Sequence, residues 1–388
     1  MLRRSRSLTA PAPSREHRLL LACARAVLTG ERAADPALLE GVDPERLRQL
    51  AASHGMVPLL APFLASFGAA AAPLRAAFRG RFLDDARSSL TLTAELLPTV
   101  RALEARGIPA AAYKGPALAL QAYGDASLRL FGDLDLLVPP DALDRAVVAL
   151  RELGFAEQPF ASAAQRRVVI RDGHHLTLTR GPVVLELHWR FSKRVFGFTE
   201  SLDGVWARRT SVPLRGAEVP VLAPEDHMLG LAMHASRGLW SALEWTLAIA
   251  VLARAIPGEA WPEVVRRARD WGGARALQVS LLLAGELFAA PAPAAPGEFL
   301  RADGATRALV LDLAAHVLGA RRTPAWYLRT QVALRRGAPQ KLAFLLRTLF
   351  VTTPSDWDAA RPSRGGMALA RVARPLRLLR KFGRLGRW

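Results

Sequence analysis

Cysteine is almost missing from this chain: Cys23 is the only one among 388 residues. A single thiol excludes a disulfide scaffold and a multi-cysteine zinc module, and it favours a reducing, cytoplasmic setting. Lysine is nearly as scarce, confined to Lys114, Lys193, Lys341 and Lys381, so arginine carries most of the formal +19 charge. An arginine excess beside abundant alanine is what a GC-rich coding bias produces, so the charge alone does not argue for nucleic acid. Phosphorylated substrates, acidic lipids and nucleic acid are all compatible anionic partners. Long hydrophobic runs are absent as well. The apolar windows Trp245–Ile256 and Leu281–Ala290 are interrupted by Arg254 and Glu286, short of the roughly 20 residues of a membrane span. Near the start, the apolar run that follows Arg3, Arg4 and Arg6 meets Arg25 before reaching the length of a secretory core. No repeat of fixed period is present.

What remains is a globular composition, 51% apolar and 22% charged, in a chain long enough for about two to three domains. Residues 1–15 form a basic, proline-bearing arm. Residues 16–89 are alanine-rich and helical, with Leu19, Leu20, Cys23 and Val27 on one face and Gly30 at the helix end. His54 falls in a turn between helices, as a structural or exposed histidine. A composition shift near Leu90 opens a core over 90–222, where Pro98 starts or kinks a helix that Gly107 ends. Within that core the pattern predicts a buried strand over Ile108–Tyr113, a helix over Pro116–Tyr123 and a strand over Leu128–Val138. A further helix carries Leu143, Val147, Leu150 and Leu153, capped by Asp141 and closed by Gly154. Pro213–Val221 reads as a linker or strand pair. A helical region then covers 223–370, where His227 and His234 share a face and an Ala/Pro loop interrupts at 289–297. The tail, Arg371–Trp388, is basic and amphipathic, suited to an anionic membrane surface or an acidic partner.

The chemistry concentrates between Lys114 and Val138. In Gly132-Asp133-Leu134-Asp135-Leu136 the alternation of a strand projects both carboxylates from one face and the leucines into the core. Two like charges so close force one pKa up unless a cation neutralises them, so the pair reads as a divalent-metal site. Upstream, Lys114-Gly115-Pro116 joins a strand to a helix. Gly lets the backbone approach a ligand, Pro suits the first helical position, and the free amides with Lys114 offer an anion site. A third carboxylate comes from a hairpin: His175–Arg180 alternates, Gly181-Pro182 turns the chain, and Val183–Trp189 alternates again. That register sets Thr177 opposite Glu186 and His175 opposite His188. Leu176, Leu178, Leu185 and Leu187 then line the other face, leaving one face polar and able to bind a ligand.

Taken together, Lys114-Gly115, Asp133-Leu134-Asp135 and Glu186 resemble the nucleotidyltransferase superfamily that includes DNA polymerase β. The chain is most similar to a bacterial nucleotidyltransferase family whose members carry a Lys-Gly turn, an Arg before Asp-x-Asp, and a Glu-Leu-His-Trp strand. Here these are Lys114-Gly115, Arg129, Asp133-Leu134-Asp135 and Glu186-Leu187-His188-Trp189. The Pro224-Glu225-Asp226-His227 helix start, His234, and the stretch from Pro354-Ser355-Asp356-Trp357 to Arg374-Pro375 extend the likeness over most of the chain from about residue 90. The wider superfamily has Gly-Ser at the turn and a shorter gap to the first Asp.

The resemblance implies an α+β fold: a polymerase-β-like core of mixed sheet with helices, flanked by N-terminal and C-terminal helical regions. It implies two Mg²⁺ ions bridged by Asp133 and Asp135, with Glu186 completing the catalytic set. Lys114, Gly115, Arg129 and His188 would face the nucleotide, an NTP such as ATP, and a nucleoside monophosphate would pass to a hydroxyl of an acceptor the sequence does not name. Two other readings stay open. In one, His175, His188 and a carboxylate hold a transition metal for hydrolysis. In the other, the chain is a catalytically silent scaffold whose basic tail docks on membrane or nucleic acid.

Overall fold

A computed structural model describes residues 12–31, 35–160, 162–289, 293–320, 322–352, 356 and 372–378, with only the backbone described at 79–88. At its centre is a mixed seven-stranded sheet. Its strands are β1 (Ala111–Ala112), β2 (Leu134–Leu137), β3 (Ala156–Glu157), β4 (His175–Arg180), β5 (Val183–His188), β6 (Thr210–Leu214) and β7 (Ala217–Val221). They lie in the order β3-β4-β5-β2-β1-β7-β6. The β4–β5 hairpin has the expected register, Thr177 opposite Glu186 and His175 opposite His188. Its cause is plain: Leu176, Leu178, Leu185 and Leu187 are all buried, each worth roughly 1.5–3 kcal/mol, and a one-residue slip would turn all four to the polar face. β5 then pairs in parallel with β2, setting Asp135 beside Glu186.

Several elements differ from the sequence pattern. The helix expected to start or kink at Pro98 runs from Ala72 to Glu104, with Pro98 inside it, so it crosses the expected division at residue 90 unbroken. Pro98 removes one amide from the ladder, and beside it Thr99 donates its hydroxyl to the Glu95 carbonyl at 2.6 Å. The strand expected over Ile108–Tyr113 pairs only at Ala111–Ala112; alanine is a weak strand former. The strand expected over Leu128–Val138 shortens to Leu134–Leu137, because Ala126–Leu128 forms a 3₁₀ turn. Asp141 does not cap the next helix. It lies in a 3₁₀ turn over Pro140–Ala142, and Leu143–Glu152 follows with no side-chain cap. Pro213–Val221 resolves as part of the β6–β7 pair.

The sheet's leucines pack with Leu103, Val147 and Leu150 in one apolar core. A second core joins the two helical regions: Leu19 and Leu60 from the N-terminal helices share it with Leu247, Leu283 and Leu313. His54 caps the Pro44–Ser53 helix and is buried, which settles its structural reading over the exposed one. The Pro224–Arg237 helix starts at the junction of the two cores. There the fully buried Asp226 accepts from Arg208 Nε at 3.0 Å and pairs with Arg267. No helix among the described residues is long and apolar enough to cross a membrane. Of the basic tail, only 372–378 is described, as helix; the arm up to residue 11, residues 290–292 of the Ala/Pro loop, and most of the Pro354–Pro375 stretch lie outside the described residues.

Candidate active site

Asp135 and Glu186 occupy paired positions on two parallel strands, so their side chains leave the sheet from the same face. His188, two residues beyond Glu186, projects there as well. Ligand atoms of Asp135, Glu186 and His188 all lie within 4.8 Å of one another. His188 Nε2 is 2.8 Å from Asp135 Oδ1 and 3.2 Å from Glu186 Oε2. Lys114 Nζ donates to the same Asp135 oxygen at 2.8 Å. Asp133, just before β2, is half-buried and stands outside the tight group, yet it feels the charges of both other acids.

The electrostatics separate the two aspartates. Burial would raise the Asp135 pKa, but the Lys114 ammonium and the His188 hydrogen bond override it and hold the carboxyl far below its usual range. Asp133 has no hydrogen-bond partner among the described residues, and burial with the Asp135 and Glu186 charges outweighs the pull of Lys114 and His188 and pushes it up to about 6. Burial would also raise Glu186, but its bond to His188 and the His175 and His188 charges bring it down. His188 is raised: burial opposes its charge, and the bonds to Asp135 and Glu186 outweigh burial.

Because the folded chain favours protonated Asp133, this group's contribution to stability is full below the ordinary carboxyl range. It is lost as pH rises through about 6. A pH titration of the metal-free chain is expected to show that transition, and Asp133→Asn is expected to remove it. A titration unchanged by the substitution would contradict the assignment.

Around the acids, the backbone is held in place. Lys114 has φ 67° and ψ −154°, unusual for a residue with a side chain. Gly115 follows at φ 52°, where a Cβ would lie 3.6 Å from the Asp133 carbonyl. The strained Lys114 amide donates to His227 Nε2 at 3.3 Å, and His227 Nδ1 lies 2.6 Å from Gln121 Oε1. Burial depresses the His227 pKa to about 3. The ring is therefore neutral, and its Nδ1–H faces the glutamine oxygen.

Arg129, expected on the phosphate side, donates through Nε to Glu244 Oε1 at 3.0 Å, and Tyr123 donates its hydroxyl to the same oxygen at 3.3 Å. Burial works against the Arg129 charge, but Glu244 keeps its pKa raised. Sequence reasoning missed Glu244, Gln121 and the role of His227. The signal for Glu244 was an acid at the edge of an apolar window; His227 stood in a recognised motif; Gln121 carried none.

His174 was missed too. Its ring, with those of His175 and His188, forms a second close group of possible ligands, and its Nε2 lies 2.9 Å from Arg237 Nη1.

A mixed sheet flanked by helices, with acids gathered on adjacent parallel strands, makes this an α+β protein with a charged site at the sheet's centre. Residues 40–289 match the family described as "Uncharacterised nucleotidyltransferase", and the chain belongs to that family. Its reaction class is accordingly nucleotidyl transfer. Among solved structures, the chain is similar to the antibiotic-resistance factor ANT(2'')-Ia, with 14% identity, 47% of this chain and 91% of that chain covered, and a TM-score of 0.35. No curated protein matches it.

Proposed function

We propose that the chain transfers a nucleoside monophosphate from an NTP to an acceptor hydroxyl, with magnesium ions held by Asp133, Asp135 and Glu186. The observation that carries this reading is the pairing of Asp135 with Glu186 across parallel strands, with Asp133 close enough for its pKa to respond to both. The donor set fits the metal: oxygen ligands suit a hard cation that binds through few carboxylates plus phosphates. When bound, magnesium supplies charge compensation for the entering and leaving oxygens of the transfer.

The chain's own residues do the rest. His188 bonds both Asp135 and Glu186 and fixes their orientation. Glu186, with 23% of its side chain exposed against 3% for Asp135, completes the set on its more open side, towards the acceptor. The Lys114 ammonium and the Gly115 amide at the helix start address phosphate oxygens. Arg129, anchored by Glu244, adds positive potential that Asp135 feels. His227 holds the Lys114 backbone in its strained conformation. The acceptor hydroxyl belongs to a small molecule, peptide or protein, and the lone buried thiol, Cys23, is consistent with a cytoplasmic enzyme.

Incubation with each labelled NTP, Mg²⁺ and a cell extract, followed by mass analysis, is expected to reveal a nucleotidylated product. Chelation by EDTA is expected to reduce its formation to background, and full turnover in EDTA would reject magnesium's role. A second reading is favoured by one observation, the close group His174, His175 and His188, a donor set suited to zinc hydrolysis. The guanidinium of Arg237 against His174 weighs against it. One equivalent of tightly held zinc in the purified chain would favour it.

A further inference from the structure

We propose that a second, arginine-lined cavity binds a soluble phosphate-bearing small molecule, at a site separate from the carboxylate group and independent of the reading above. The cavity, about 440 Å³, lies between the loop after β5 and the helices Trp261–Asp270, Ala274–Phe288 and Gly337–Phe350. That volume is within the range of small-molecule sites. Its walls carry Arg269, Arg275, Arg335 and Arg347 with the rings of Phe196 and Phe344, and no Asp or Glu is among the described lining residues.

Arg335 and Arg275 donate to neutral groups, with the Asp303 carboxylate acting on Arg275 from behind Thr306. Arg335 donates to Gln331 Oε1 at 2.7 Å and to the Phe196 carbonyl at 3.1 Å, and its guanidinium lies 3.9 Å from the Phe344 ring centroid. Burial pushes its pKa down to about 10, with Tyr327 opposing and Arg347 adding to the fall. Arg275 donates to Thr306 Oγ1 at 2.6 Å and to Gln278 Oε1 at 3.1 Å, while its buried Nε has no partner among the described residues. Arg347 lies across Gly197, where a Cβ would strike the guanidinium.

Cations crowded in a partly dry cavity without a carboxylate repel one another, and a bound multivalent anion relieves that repulsion. A diphosphate or triphosphate matches the planar donors of several guanidinium groups, and the phenylalanine rings suit a flat or apolar body attached to it. The cavity adjoins the candidate active site through Arg237. That guanidinium lies 5.8 Å from the Phe196 ring centroid and, at its Nη1, 2.9 Å from His174.

The test is calorimetric titration of the full chain with inorganic pyrophosphate in EDTA, where the carboxylate site has no metal to recruit phosphate. Saturable, salt-sensitive binding is expected. It should weaken at least about tenfold in the double variant Arg335→Gln/Arg347→Gln and stay unchanged in Asp133→Asn. Should the double variant fail to fold, Ala343→Glu serves in its place. It sets an acid on the cavity wall to pair with the arginines, so binding should fall about tenfold while thermal stability is kept. Absence of saturation, binding unchanged in the variants, loss of binding in Asp133→Asn, or capture by phosphatidic-acid vesicles but not by pyrophosphate would each overturn the proposal. NTP turnover measured in Ala343→Glu separates this outcome from failure of the nucleotidyltransferase reading.

Discussion

Asp133→Asn is expected to lower nucleotidyl transfer at least about a thousandfold, the scale on which loss of one essential charged group reads out. It is expected at the same time to leave the metal-free fold at neutral pH as stable as before, or more so. The second half follows from the electrostatics. Asp133 is a partly buried acid beside two other acids, with its pKa at about 6, so its ionised form costs stability at pH 7. Asp135→Asn should lose activity to a similar degree but behave oppositely in stability. Asp135 is the common acceptor of Lys114 and His188, and removing its charge leaves Lys114 without its counter-ion and His188 with Glu186 alone. Enzyme turnover paired with urea denaturation distinguishes the two variants. Equal stability losses in both would show that Asp133 is a structural acid, and unchanged turnover in either would remove that residue from catalysis.

The second large effect falls on stability. Arg129→Met would leave Glu244 buried, with 4% of its side chain exposed and, among the described residues, only the Tyr123 hydroxyl to bond it. Breaking a buried ion pair from one side costs about 3–5 kcal/mol. The loss should be largely recovered by Arg129→Met/Glu244→Leu, which removes the buried charge as well. Chemical denaturation of the single and double variants measures both. A loss of under about 1 kcal/mol, the level of an exposed pair, would show that the pair is solvated and does not brace the site.

What the sequence disclosed depended on how local the governing physics was. The β4–β5 hairpin was readable to the residue, because four alternating leucines and a Gly-Pro turn admit one register. The pairing of β2 with β5 was not, since nothing local tells a strand which parallel neighbour it will meet; family resemblance alone brought Glu186 to the aspartates. Whether Pro98 starts or kinks its helix was left open, because a proline and a composition shift look like a boundary. Tertiary packing of Leu96, Val100 and Leu103 carries the helix past both. The sharing of one core by Leu19 and Leu283 links positions far apart in the chain. The partners Glu244, Gln121 and His174 are likewise single residues whose meaning appears only across the fold.

The same distinction bears on Lys114. Its sequence context indicated an anion-binding turn, whereas in the folded chain its ammonium bonds Asp135. These two observations describe one device if the ammonium moves from the carboxylate to phosphate when a divalent ion takes over the neutralisation of Asp135. Lys114 and the metal are therefore expected to compete for one oxygen.

A crystal structure of the chain with Mn²⁺ and a non-hydrolysable NTP, using manganese anomalous scattering, tests this most directly. Manganese peaks among Asp133, Asp135 and Glu186, with the Lys114 ammonium shifted from Asp135 onto the triphosphate, are the predicted result. A peak confined to His174, His175 and His188, or an NTP bound with Lys114 still on Asp135 and no metal between the acids, would contradict it.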